Sequence, residues 1–469
     1  MARGPWQEEV DLVIVGASVG GLAAAVMAAD RGCRIIVVER AKELGGGAAT
    51  EAEMIAAAGS RWQRAAGIDD GSERLAADVL AATRHQVEAE VVAALAAESA
   101  PLVAWLADRC GARVELFHEH PPGGHSVARL HAPGERGGAS LVAELARAAS
   151  RHSHVSMRAV TVAERLVRDD SGAVRGVQVR GERRGAGQAL GGRVLLACGG
   201  FAGDDALVAQ HCPAAAGLPY HGGARATGDA LRLGREAGAA LRRLASCVVT
   251  PFLTMPAQLA LSTPLVDLGA VLVNQTGRRF ADETAESLLL ATTVRAQPGH
   301  LAYLLFGERT ATAARAADPF FARVVLPRTG RRGATVEDLA KQFELNAEGL
   351  GHTVEGLNQS LAPGGDPFGR RRFAGPLEPP FHAIRVTGAR WRTFGGLAVD
   401  ASARVLDAAG QPIPGLYATG GAAVGLGGEG TEGLLPGLDT LAALGLARLA
   451  AQDVIAQTTA TPEDSKPTS

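Results

Sequence analysis

The 469-residue sequence predicts an α/β protein: a doubly wound domain split in two along the chain, with an α+β cap domain inserted between its halves. Three observations carry this. A strand, glycine turn, helix and strand follow one another from Asp11 to Arg40. A second strand running into glycines and then a helix closes the chain, from Gly415 to Ala456. Between about Leu244 and Gly375 the texture changes to short strands, helices and a basic, proline- and glycine-containing stretch.

The opening unit is the most informative. Leu12 to Val15 is a short apolar run of the kind a buried parallel strand needs. Gly16, Ser18 and Gly21 stand at the three glycine positions of a G-x-G-x-x-G turn, with Gly20 beside the last. Leu22 to Asp30 is alanine-rich helix former, closed by Gly32. Arg34 to Val38 is the second strand, and Glu39 sits at its end. These residue types make a Rossmann-like dinucleotide cradle. Gly16 permits the turn, and Gly21 lets the helix pack closely on the strand. The helix N-terminus offers N–H groups and a positive dipole end to a pyrophosphate. Glu39, 23 residues after Gly16, is spaced to accept hydrogen bonds from ribose hydroxyls. Ser18 departs from the fingerprint at its second glycine, but stays small and adds a hydroxyl.

Past Arg40 comes a second glycine cluster, Gly45, Gly46 and Gly47, which suits flavin better than nicotinamide. Residues 72–109 read as two helices, with Ser72 capping the first. Gly123 to Gly138 reads as a loop carrying His125 and His131, followed by a helix from Ser140 to Ala149. Strands follow at Val155–Val160, Ala163–Arg168 and Val174–Val179, the last two joined by a turn at Asp169–Gly172. Arg193 to Ala197 is a buried strand running into Cys198, Gly199 and Gly200, a second place where backbone can touch a cofactor. Thr227-Gly228-Asp229 opens a helix.

The inserted region reads as strands at Ala270–Val273 and Leu301–Phe306 and helices at about Thr335–Phe343 and Ala347–Ser360. Arg370, Arg371 and Arg372 read as a solvated turn. After Pro376, Pro379 and Pro380 the chain returns to the first domain. It ends in the strand Gly415–Ala418, Gly420-Gly421, a long glycine loop with Glu429, Thr431 and Glu432, and a helix with Asp439 as its N-cap. The expected boundaries are 1–243 and 379–457 for the split domain, 244–378 for the cap, and 458–469 for a disordered tail.

Composition limits the function. A net charge of −2 gives no case for nucleic acid or an anionic membrane surface. The five cysteines are scattered with no C-x-x-C, which points to a reducing, cytoplasmic setting and away from a disulfide framework or zinc site. The first strand begins at about residue 11, leaving no room before it for a signal peptide. No apolar run reaches the ~18 residues that span a bilayer.

Together the segments VIVGASVGGLAAA with Glu39, GGGAAT, VLLACGGF, TGDALRLGREAGAAL, VLVNQTGRRFADE, FGGLAVD, PIPGLYATGG and GLDTLAALGLARLAA resemble the FAD-dependent fumarate reductase and 3-ketosteroid dehydrogenase superfamily. The order of segments resembles the steroid branch most. The resemblance implies a split FAD-binding domain with an inserted cap, and a small-molecule substrate held over the flavin between them. It puts Gly16, Ser18, Gly20 and Gly21 on the pyrophosphate, Glu39 and Arg40 at the ribose, and Gly45 to Gly47 along pyrophosphate and flavin. It puts the backbone of Val160 at adenine, with Cys198, Gly199 and Asp229 on the adenosine side. Gly420, Gly421, Leu438, Thr440 and Leu441 would meet the ribityl chain and pyrimidine edge. No histidine lies in the loop after Gly45 where covalent members attach flavin, so FAD is expected to be non-covalent.

The catalytic positions depart from both branches. Ser287 stands where fumarate reductases carry an arginine acid. Arg392 replaces the histidine of the His-x-x-Gly-Gly dicarboxylate ligand, and the clamping arginine of the last loop falls near Leu434. Fumarate and succinate are therefore not the expected substrates. Steroid members rely on tyrosines, and this chain has three: Tyr220, Tyr303 and Tyr417. A hydride moves at flavin N5 and a partner must move a proton. Glu286 is the expected proton partner, with burial under the cap raising its pKa. Arg392 and His125 complete the expected catalytic set. Ser287, His131, Glu429, Thr431 and Glu432 are expected to contact substrate. The expected reaction is dehydrogenation or reduction of a C–C bond beside a carbonyl in a cyclic, mostly neutral metabolite, with an unidentified electron acceptor or donor. Alternatives are a flavin oxidase acting on CH–OH, and a flavin-binding protein that has lost catalysis.

Overall fold

The computed structural model describes residues 6–46, 54–117, 124–133, 138–181, 187–223, 226–261, 265–318, 320–359, 365–428 and 435–459. The chain forms two compact units. One comprises Met1–Cys212, Gly222–Cys247 and Arg392–Ser469; the other comprises Pro213–His221 and Val248–Trp391.

The first unit is built on a mostly parallel sheet. Its strands are β1 (Glu8–Val15), β2 (Ile35–Val38), β3 (Val155–Arg158), β4 (Gln188–Leu196) and β5 (Pro412–Ala418). The order across the sheet is Arg404–Leu406, β5, β4, β1, β2, β3. Val13 on β1 lies opposite Ile36 on β2 and Val194 on β4, and Leu416 on β5 also faces Val194. Leu12, Val13 and Ile14 are fully buried, because a parallel strand with helices on both faces has no solvent side. Arg404–Leu406 is antiparallel to β5, and a hairpin of Val162–Arg168 and Val174–Arg180 pairs with the first half of β4.

Two helices of this unit begin near the carboxyl edge of the sheet: α1 (Val19–Ala29), directly after the β1 turn, and α2 (Leu438–Thr459). All eleven residues of α1 are buried, so it has no polar face. Its small side chains permit close packing: a Cβ on Gly20 would fall 2.7 Å from the carbonyl oxygen of Ala443 on α2. Ala89–Asp108 is 20 residues long and apolar enough to cross a membrane by length and composition, contrary to the expectation from the sequence. It contains Pro101, and its Leu95, Leu102, Val103 and Leu106 belong to the core of this unit.

In the second unit an antiparallel sheet runs in the order Cys247–Thr254, Phe381–Thr393, Ala302–Gly307, Val271–Val273. Leu304 and Phe306 face one apolar cluster with Ile384 and Val386; Tyr303 and Leu305 face another with Leu339 and Phe343.

Three expectations are corrected. Ser72 is the first residue of its helix and Gly71 is the cap. Asp439 lies within the first turn of α2, which begins at Leu438. Arg370 is not solvated. It is 4% exposed, donates to Glu283 at 3.1 Å and to the carbonyl oxygens of Ala270 and Val266, and stacks on Phe373. A buried glutamate needs such a partner, and sequence spacing does not reveal one 87 residues away.

Candidate functional site

Parallel pairing sends the turns after β1, β2, β4 and β5 to one edge of the sheet, the carboxyl edge where open α/β sheets bind ligands. Gly16 follows β1 with φ +107°, and a Cβ there would fall 2.5 Å from the carbonyl oxygen of Ala197. A Cβ on Gly21 would fall 2.1 Å from the oxygen of Gly16. Both positions therefore need glycine. Ser18 is the N-cap of α1, its hydroxyl oxygen accepting from the amide of Gly21 at 3.3 Å. That caps the helix while leaving the hydroxyl proton for another acceptor.

Glu39 stitches the two turns together. One carboxylate oxygen accepts from the amide of Ala17 at 2.9 Å and the other from Ala41 at 2.7 Å. Gly45, with φ +104°, runs beside Ser18 and donates its N–H to Ala17 at 2.9 Å. Gly46 has φ +57° and open space where a side chain would stand. Gly47 lies outside the described residues, as do Glu429, Thr431 and Glu432.

Arg40 pairs with Asp229 and donates to the Thr227 hydroxyl at 2.9 Å, and Thr227 donates to Asp229 at 3.0 Å. This ties the end of β2 to the turn that opens Asp229–Glu236. Cys198 sits close enough to feel Asp229: burial, then that negative charge, push its thiol up to about 12. The neutral thiol is therefore favoured over the thiolate there. Val160 takes φ +51°, unusual for a β-branched residue, and donates its N–H to Ala41 at 3.2 Å. That N–H is thus engaged within the protein.

Gly200 and Gly421, after β4 and β5, pack against each other. A Cβ on Gly421 would fall 2.7 Å from the amide nitrogen of Gly200, and one on Gly200 would fall 2.5 Å from the Thr393 hydroxyl. Thr419 donates to the carbonyl of Ala443 at 2.6 Å and so fixes α2 beside the Gly420 turn. Leu438, Thr440 and Leu441 are buried in the first turn of α2. Across from them, Arg392 donates to Asp439 at 2.8 Å.

His131 adjoins a buried polar network that sequence reasoning missed. Arg129, with a fully buried guanidinium, pairs with Asp70 at 3.0 Å and Asp78 at 2.7 Å. The nearer of these acids is 51 residues away in sequence, so no local pattern signals them. His131 donates from Nδ1 to the carbonyl of Arg129 at 2.9 Å, which leaves Nε2 to accept from the Ser60 hydroxyl at 2.7 Å. Burial pushes its pKa down to about 4, so it is neutral at pH 7. Fully buried and bonded at both nitrogens, His131 is a core histidine and not the substrate contact expected of it. His125 donates from Nε2 to the carbonyl of Pro436 at 2.9 Å, two residues before α2, and burial lowers its pKa too.

Glu286 and Ser287 belong to the second unit. Glu286 is the N-cap of Ser287–Arg295, its two oxygens accepting from the amides of Leu288 and Leu289 at 3.0 Å each. It is exposed, so the burial expected to raise its pKa is not there. Sequence reasoning also missed the partner of Arg392, having given Asp439 a capping role.

The cradle fits a dinucleotide: glycines where any side chain would collide, a helix N-terminus, and an acid with lone pairs to spare. Residues 11–432 match the family model described as FAD binding domain, FAD_binding_2. The chain belongs to that family and is an FAD-dependent oxidoreductase. Among its relatives is "Fumarate reductase (cytochrome)" of Shewanella frigidimarina, 30% identical over 431 residues, which cover 91% of this chain and 74% of the relative. The fold is similar to an open conformation of a flavocytochrome c3 fumarate reductase, with TM-score 0.83, 28% identity and coverage of 96% of this chain and 79% of that one. It is also similar to 3-ketosteroid-Δ4-(5α)-dehydrogenase from Rhodococcus jostii RHA1, with TM-score 0.70, 26% identity and coverage of 97% and 98%.

Proposed function

We propose that this oxidoreductase adds or removes hydrogen across a C–C bond next to a carbonyl, in a cyclic and mostly neutral metabolite. In the oxidative direction a base takes the proton from the carbon alpha to the carbonyl as a hydride leaves the carbon beta to it; in the reductive direction an acid returns the proton and the hydride comes back. The cofactor is held non-covalently, there being no histidine between Gly45 and Ser60 to attach it. When bound, FAD supplies the hydride acceptor or donor.

The protein's own residues bind and orient the two reactants. Gly16, Ser18, Gly21 and Glu39 hold the nucleotide half. Arg392 holds the substrate's carbonyl oxygen and strengthens that contact as the oxygen gains charge.

One observation favours a neutral substrate: the guanidinium at the carboxyl edge already has a carboxylate partner. Arg392 is paired with Asp439. A second reading, reduction of an unsaturated dicarboxylate, is favoured by the fumarate reductases among the relatives. Anaerobic mixing of the FAD-loaded protein with cyclic ketones, phenols and succinate separates the two. Bleaching by a cyclic ketone and not by succinate supports the first reading; the reverse supports the second. A new ketone in place of a new C=C bond among the products would indicate CH–OH oxidation. The five cysteines, none in a disulfide, support placement in a reducing compartment such as the cytoplasm.

A further inference from the structure

We propose that Asp439 determines specificity by acting through Arg392: it cancels the guanidinium's charge at the carboxyl edge of the sheet and so turns away substrates bearing a carboxylate. This rests on the neutral-substrate reading above and gives it a residue.

Arg392 is fixed from one side. The next residue, Thr393, is wedged against Gly200, and its hydroxyl oxygen accepts from the amide of Phe201 at 3.4 Å. Gly200 in turn abuts Gly421. Arg392 therefore stands where the turns after β4 and β5 meet. Asp439 is fixed from the other side, in a first helical turn whose Leu438, Thr440 and Leu441 are buried. The ion pair closes at 2.8 Å with side chains 27% and 26% exposed, so the pair is reachable from solvent.

One carboxylate thus answers two positive features, a guanidinium and the positive end of a 22-residue helix. Either feature alone would attract an anionic substrate. With Asp439 in place, an incoming carboxylate meets a like charge and a donor already engaged, whereas a neutral carbonyl loses little. Rejection built this way separates substrates without tightening the preferred one.

The test uses the full-length, FAD-loaded protein and four variants: Asp439→Asn, Asp439→Glu, Arg392→Met, and Arg392→Met combined with Asp439→Asn. Succinate is the probe, and its binding is read from perturbation of the flavin absorption spectrum. Asp439→Asn is expected to tighten succinate about fivefold at low ionic strength, the scale of one partly exposed charge interaction. That gain shrinks as salt is raised. Asp439→Glu restores wild-type affinity. In the Arg392→Met background the same Asn substitution changes succinate affinity less than about twofold. Equal succinate affinity in wild type and Asp439→Asn, both folded and flavin-loaded, overturns the proposal. So does a gain that persists without Arg392, because Asp439 would then act alone. If wild type already binds succinate more tightly than a neutral cyclic ketone, the substrate reading itself fails, a result distinct from any difference among the variants.

Discussion

Glu39 accepts a hydrogen bond from the amide of Ala17, 22 residues earlier, at 2.9 Å. The acid at the end of β2 and the glycine turn after β1 are therefore one rigid piece. Its second oxygen takes the amide of Ala41, and both oxygens keep lone-pair capacity for ribose hydroxyls. Glu39→Ala removes a charged acceptor from two buried-edge amides and from the cofactor together. Apoprotein titrated with FAD should show affinity at least tenfold weaker, from a loss of about 1.5–3 kcal/mol. Unchanged affinity would remove Glu39 from the cradle.

Gly21 and Gly46 separate steric from conformational demand. Gly21→Ala drives a methyl against the Gly16 oxygen, 2.1 Å away, and overpacking of that kind costs about 1–3 kcal/mol. Gly46→Ala meets open space and carries only the left-handed backbone penalty, about 1–2 kcal/mol. Flavin content after purification should fall steeply in Gly21→Ala and by less than half in Gly46→Ala. The opposite ranking would mean that the Gly16–Gly21 turn is not the closest approach to the cofactor.

Stability should fall as the solution is acidified from pH 6.5 to about pH 4. Burial lowers the His131 pKa from 6.5 to about 4. Between those values the unfolded chain binds a proton that the folded chain does not, so acid favours unfolding there. Above 6.5 and below 4 this group contributes no slope. The whole shift is worth roughly 3 kcal/mol. Denaturant titrations across this range should show a shallower pH dependence for His131→Gln than for wild type. Parallel profiles would show that the imidazole does titrate while folded.

Glu286 caps a helix and is exposed, and its charge is expected to serve that cap and not the proton transfer. Glu286→Gln should leave the rate of anaerobic flavin reduction by substrate within about twofold and lower stability by about 1 kcal/mol, the usual loss of an N-cap. A drop of a hundredfold or more in that rate, with FAD still bound, would restore Glu286 as the proton partner.

The parts of this protein that were legible in its sequence are local. The cradle from β1 to Glu39 is one continuous stretch whose apolar run, glycines and acid each fix one feature, and α1 and β2 fall where the periodicity puts them. The hairpin at Asp169–Gly172 and the glycine turns after β4 and β5 are legible for the same reason. What was not legible depends on contacts distant in sequence. Arg370 sits in a basic run that reads as surface, yet Glu283 draws it inside. His131 and Asp439 each had a plausible local role, and each is assigned another by a partner remote in the chain, Ser60 and Arg392. Phe381–Thr393 carries arginines that hide a long strand from an apolar-run search.

The central claim, a flavoenzyme for neutral cyclic carbonyl compounds, is tested most directly by letting 2-cyclohexenone and fumarate compete for the reduced enzyme. The FAD-loaded protein is reduced anaerobically, and return of the flavin absorbance is followed after mixing with each compound at equal concentration. Reoxidation by 2-cyclohexenone at least tenfold faster than by fumarate is the predicted result. Faster reoxidation by fumarate would contradict the claim and place the protein with the dicarboxylate reductases it resembles.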